Sequence, residues 1–231
     1  MTLVACLKGR DGLILAADSR GTIGDPRGLT AINDSQLKLF NLSEFVGIVC
    51  YGQAELAAQL ISEVKRELSA EHIHFSSLFQ KTRECIGSKY FEWFKNLPRD
   101  QRPVVGFIIG GLESNGGANI YYLSSPLDFA PQLCTTGFAL GGIPQYATYL
   151  VHRLYDSQMS IKNLQQLAAY IISERATQDP KVGGPIRMAE ISTQEGYKEL
   201  DQARIAELVR HNEQLSSELR RFFFPKEEPH D

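Results

Sequence analysis

No stretch of the chain approaches the roughly 18 consecutive apolar residues that a membrane-spanning helix requires, so a spanning segment is excluded. Basic charge is not in surplus either: 24 Lys and Arg stand against 27 Asp and Glu, a net charge of -3. Without a basic stripe there is no electrostatic case for a nucleic-acid partner. Cysteine is sparse and scattered, at positions 6, 50, 85 and 134, with no C-x-x-C pair. That spacing argues against a zinc site or a redox dithiol and leaves reduced core thiols. The start, Met-Thr-Leu-Val-Ala-Cys-Leu-Lys, has too short an apolar run for a secretory signal and meets a charge too early, so a cytoplasmic location is expected. Gly110-Gly111 and Gly141-Gly142 lack the Lys and Ser or Thr that complete a phosphate loop, so no nucleotide cofactor is implied. His72-Ile-His74 has no third ligand at suitable spacing and reads as a polar loop; no metal is expected.

What is present is ordinary globular material, 43% hydrophobic and 22% charged over 231 residues, enough for one large domain. Thr2 to Lys8 and Leu13 to Ala17, joined by Gly9-Arg10-Asp11-Gly12, predict a hairpin. A loop rich in Gly, Asp and Pro follows Asp18-Ser19-Arg20, then a strand around Leu37 to Leu42 and a buried one from Phe45 to Tyr51. Helical spacing covers Gln53 to Ser69 and Ser76 to Leu97, the second capped by Ser76 or Ser77. Strands are expected at Val104 to Gly110, Asn119 to Ser124 and around Leu133 to Phe138, with Gly116-Gly117 as a hairpin turn. Helices are expected from Pro144 to Tyr155 and Ile161 to Gln178, then strands at Ile186 to Ser192 and Tyr197 to Leu200. A last helix, residues 201–223, carries an apolar stripe that docks either on the chain's own outer layer or on a neighbour. No linker divides the chain, so residues 1–224 are expected to form a single domain with a frayed polar tail at 225–231. Strands segregated from helices suggest sheets stacked face to face with helices outside.

The chemistry concentrates in the first forty residues. A threonine after the initiator methionine is small enough to permit methionine removal, which places its hydroxyl beside its own free α-amine. An amine with a pKa of about 7.7–8.0 is matched to accepting the hydroxyl proton near neutrality. Asp18 ends the strand that returns from the hairpin, close to where the strand from Thr2 begins. Lys38, between apolar neighbours in Gln-Leu-Lys-Leu-Phe, needs an anionic partner if buried, and Asp18 is the natural one. A Lys38–Asp18 pair beside Thr2 would favour a developing alkoxide there.

Thr2, Ala-Ala-Asp-Ser-Arg-Gly-Thr at 16 to 22, and Lys38 ahead of a β-rich segment resemble the proteasome β-type family, including its HslV-like and bacterial proteasome-homologue branches. The resemblance covers almost the whole chain. It implies an α+β fold, the four-layer αββα sandwich of N-terminal-nucleophile hydrolases. It also implies amide hydrolysis of peptides or polypeptides by the N-terminal threonine, and homo-oligomeric stacked rings or a related assembly. An ATP-dependent unfoldase is a candidate partner. By the same resemblance Thr2 is nucleophile and base, Asp18 holds Lys38, Arg20 braces the site, and Gly21 and Thr22 pair with an extended substrate. Val49 lies near the base of the first specificity pocket, and backbone N–H groups around Tyr51 and Gly52 stabilise the oxyanion. The family usually has a smaller residue where Tyr51 stands; Tyr51 is either a pocket-narrowing side chain or a core aromatic.

Two positions depart from the family pattern. Phe138-Ala-Leu-Gly-Gly-Ile-Pro-Gln-Tyr-Ala places Gly142 where a supporting serine is expected. In Asp179-Pro-Lys-Val-Gly-Gly, Asp179 matches the supporting aspartate but Val182 replaces its serine. Those hydroxyls help to position the threonine amine and a water. Their absence keeps two alternatives open beside a threonine endopeptidase: a catalytically weak or inactive scaffold subunit, and a small-molecule amidase of the same fold.

Overall fold

The computed structural model describes residues 2–24, 30–68 and 74–224. The N-terminal hairpin is present as β1 (Leu3–Lys8) and β2 (Gly12–Ala17), with Val4 opposite Ala17 and Lys8 opposite Leu13. These strands lie inside a five-stranded sheet ordered β10-β1-β2-β11-β12, where β10 is Phe138–Gly142, β11 Arg187–Ser192 and β12 Gly196–Glu199. A second five-stranded sheet runs β5-β6-β7-β8-β9, built from Leu39–Ser43, Val46–Gly52, Val105–Leu112, Ala118–Ser124 and Gln132–Leu133. Every strand pairing among the described residues is antiparallel.

Side-chain alternation along the strands builds the layers. Leu3, Ala5 and Leu7 on β1 face out into a core shared with α3 (Gln145–Leu154), α4 (Ile161–Gln178) and α5 (Gln202–Phe223). Val4 and Cys6 face the other way, into an inter-sheet core with Val49, Tyr51 and Ile108. Ile48 and Cys50 on β6 face a third core under α1 (Ala54–Glu67) and α2 (Phe75–Phe94). Helix, sheet, sheet, helix is the four-layer order expected.

The structure differs from the sequence reading in three places. The segment after Arg20 contains a small ladder, β3 (Gly21–Gly24) with β4 (Thr30–Asn33), where a loop was expected. Its side chains are largely exposed, so no apolar alternation marks it. The strand expected around Leu133 to Phe138 divides into β9 and β10, which belong to different sheets. The N-cap of α2 is His74, not a serine; Ser76 bonds Glu113 instead, and His74 Nδ1 pairs with Ser114 Oγ. His72 and the tail at 225–231 lie outside the described residues.

Helix α5 starts at the Asp201 cap, whose carboxylate accepts from the Arg204 N–H at 2.6 Å, and docks Ile205 and Leu208 on the chain's own outer layer. Further along, Leu215 and Leu219 are 44% and 49% exposed, so only the first half of the stripe is covered within this chain. Among the described residues, no helix is long and apolar enough to cross a membrane.

Candidate active site

Strand β1 is held on both sides, by β10 and β2, and its first neighbour Thr2 is buried. The Thr2 carbonyl accepts from the Ile143 N–H at 2.9 Å, just past β10. By alternation Thr2 shares the face of Val4 and Cys6, toward the space between the sheets. Asp18 follows β2 directly, and its N–H donates to the Leu3 carbonyl at 3.2 Å, so the hairpin brings Asp18 against Leu3, one residue from Thr2.

The Asp18 carboxylate, 1% exposed, accepts four hydrogen bonds. Oδ1 takes the Leu3 N–H at 3.1 Å and the Lys38 ammonium at 2.7 Å. Oδ2 takes the N–H groups of Arg20 and Gly183, each at 3.2 Å. Lys38, also 1% exposed, spends a second proton on the Arg20 carbonyl at 2.8 Å. Lys38 stands one residue before β5, and its own carbonyl accepts the Cys50 N–H at 2.9 Å, which locks it to β6. Burial pushes the Asp18 carboxyl up and the Lys38 ammonium down, toward neutrality; each draws the other back toward its charged form. The result is a cation held below the ordinary lysine range beside the start of β1. Burial pushes the Cys50 thiol up to about 12 despite the nearby Lys38, and so holds it in the neutral form.

A family model described as "Proteasome subunit" matches residues 2–191. The chain belongs to the proteasome subunit family. The proteasome subunit beta of Methanopyrus kandleri is 20% identical over 200 residues, which cover 86% of this chain and 90% of that one. Two solved structures share the fold over 99% of this chain and 100% of theirs. They are Anbu (ancestral beta-subunit) from Yersinia bercovieri, at TM-score 0.71 and 15% identity, and Anbu from Hyphomicrobium sp. strain MC1, at 0.70 and 18%. The fold is that of the proteasome-like N-terminal-nucleophile hydrolases, and the matched residues stop short of α5.

Within this proteasome-family frame the remaining expected residues are placed unevenly. Arg20 contributes its main-chain carbonyl to Lys38, while its guanidinium forks onto Asp34 at 2.7 and 2.9 Å and reaches the Pro180 carbonyl at 2.9 Å. Asp179 is not drawn to the Lys38–Asp18 pair: its carboxylate takes Arg175 at 2.6 Å and the Lys181 N–H at 2.9 Å, within its own turn. Gly21 and Thr22 open β3, opposite Asn33 and Ile32. Val49 is completely buried in the inter-sheet core, two residues before Tyr51 on the same face of β6. Tyr51 lies across Gly106 and Gly141, where added Cβ atoms would come within 2.1 and 2.6 Å of its ring, and its hydroxyl pairs with that of Tyr122. It is a core aromatic that also backs the strand holding Thr2. Gly52 is exposed with φ 90°, and a Cβ there would stand 2.3 Å from the Val104 carbonyl.

The two departures from the proteasome pattern have distinct physical causes. At Gly142, φ is 90° and an added Cβ would lie 1.9 Å from the Thr2 carbonyl oxygen, so no side chain fits the position. Val182 is fully buried in the helix-side core with Leu3 and Ala5, a packing residue and not a site-facing one. Asp34, Gly183 and Cys50 contact or act on the charged pair without having been singled out by sequence. Asn33-Asp34-Ser35 carries only turn chemistry, and nothing in its spacing points to Arg20.

Proposed function

We propose that the chain is a self-compartmentalising threonine peptidase subunit, a single domain over residues 1–224, acting once Met1 has been removed. The observation that carries this reading is the bridge made by Asp18 Oδ1, which receives both the N–H of Leu3, next to Thr2, and the ammonium of Lys38. With two Lys38 protons committed to Asp18 and Arg20, the third is left to favour charge on Thr2 Oγ1. The freed α-amine takes the Thr2 hydroxyl proton as Oγ1 attacks the peptide carbonyl carbon. The tetrahedral oxyanion rests on the backbone N–H groups around Tyr51 and Gly52. As the C–N bond breaks, the amine returns the proton to the leaving nitrogen, leaving an ester on Thr2. Water, activated by the same amine, then releases the acid.

Gly21 and Thr22 pair with the extended substrate, Arg20 and Asp179 brace the turn beneath Asp18, and Val49 acts on the pocket only through Tyr51. Homo-oligomeric rings or a related assembly in the cytoplasm restrict access to unfolded polypeptides and peptides, delivered directly or by an ATP-dependent unfoldase.

A second reading, a scaffold subunit of low activity, is favoured by Gly142 and Val182, which leave no hydroxyl at either expected position. A peptide epoxyketone or boronate separates the two. The peptidase reading expects one adduct per chain, mapped to Thr2 by peptide mass. No adduct on assembled protein lacking Met1 favours the scaffold.

A further inference from the structure

Arg20 and Asp34 do more than close a surface ion pair. The Asp34 carboxylate receives both the Nε and Nη2 of Arg20, a fork-to-fork contact that fixes the guanidinium plane. That plane lies on Gly183, where an added Cβ would come within 2.9 Å of the guanidinium carbon, and Asp34 itself abuts Gly184, whose added Cβ would stand 3.0 Å from the Asp34 Cβ. The pair therefore covers the Gly183-Gly184 turn, which donates its Gly183 N–H to Asp18 Oδ2. It also stands at the base of the β3–β4 ladder, where Gly21 pairs with Asn33. The backbone of Arg20 is committed at both ends, its N–H to Asp18 and its carbonyl to Lys38.

We propose that Asp34 is a positioning residue of this site: by holding the Arg20 fork it fixes the main-chain carbonyl that receives the Lys38 ammonium, and so where that ammonium stands relative to Thr2. This rests on the reading of Thr2 as nucleophile. Asp34 touches neither substrate nor Thr2 and acts through Arg20. It also joins the charges around Lys38, which are Asp18 and Asp34 with the Cys50 thiol, while Arg20 faces Asp34 and Asp18.

The test compares Asp34→Asn, Asp34→Glu and the parent protein in two measurements. The first is hydrogen exchange at the Arg20 and Gly183 amides, which needs no activity. The second is the pH dependence of Thr2 modification by a peptide epoxyketone. Asp34→Asn is expected to speed exchange at both amides and to slow Thr2 modification, each by about tenfold, the scale typical of an outer residue that orients an inner one. Loss of the Asp34 anion removes one influence that holds the Lys38 proton, so the alkaline limb of the profile moves to lower pH. Asp34→Glu restores exchange and rate together. Unchanged exchange in Asp34→Asn overturns the proposal, as does a rate loss that Asp34→Glu does not recover. If the parent protein itself is unmodified, the peptidase reading fails, and the exchange measurement alone decides the role of Asp34.

Discussion

Lys38→Ala is expected to slow acylation of Thr2 roughly a hundred- to a thousandfold, the scale on which loss of a group facing developing charge is felt. The same change leaves the Asp18 carboxylate buried without its cation, which costs about 3–5 kcal/mol of stability. The sign of the pH dependence follows from burial, which already raises the Asp18 carboxyl above its ordinary value, while Lys38 is the chief opposing influence. Without Lys38 the folded-state pKa rises further. A carboxyl raised in the folded state contributes stability below its unfolded value that is lost as pH climbs through the folded one. The melting temperature of Lys38→Ala should therefore fall further below the parent's at pH 8 than at pH 5. The double change Asp18→Asn with Lys38→Met removes both charges and should recover much of the stability but none of the acylation. Acylation that survives Lys38→Ala would mean that Thr2 is activated by something else.

Gly142→Ser, the replacement that restores the family's usual hydroxyl, is expected to harm and not help. Its Cβ must move from 1.9 Å off the Thr2 carbonyl oxygen, at a φ of 90° that side chains rarely adopt. The combined strain and overlap are expected to cost about 3 kcal/mol or more. Relief requires displacing β10 or the Thr2 carbonyl that Ile143 holds. Thermal unfolding and Thr2 modification should both fall. A Gly142→Ser protein as stable as the parent and more reactive would show that the missing serine is a simple loss, not a consequence of how closely β10 approaches the N-terminus.

The contrast between these residues shows what sequence could and could not deliver. Asp18 was legible because a tight hairpin returns β2 to the start of β1, and Lys38 because a cation among apolar neighbours needs an anion. Both inferences are local or depend on one partner. The layer order was legible from segregated runs of strands and helices. The ladder β3–β4 was not, because exposed side chains leave no alternation to read. Asp34 was hidden for a different reason: its partner Arg20 and the Gly183-Gly184 turn converge on it from distant parts of the chain, and only the register of the finished sheets brings them together. Val182 looked like a lost site residue, but the turn directs it into the core under the helices. Asp179 was matched to the family's supporting aspartate by its motif alone, and its ion pair with Arg175, one helical turn earlier, was not read from the sequence.

The central claim is that Thr2 carries its own base, and the N-terminus of the folded, assembled protein tests it most directly. Intact mass spectrometry of the assembled protein should show a chain short by one methionine, with Thr2 as the first residue and its α-amine free. Retention of Met1 throughout assembled material would contradict the account, since the nitrogen that must accept the hydroxyl proton would then be an amide.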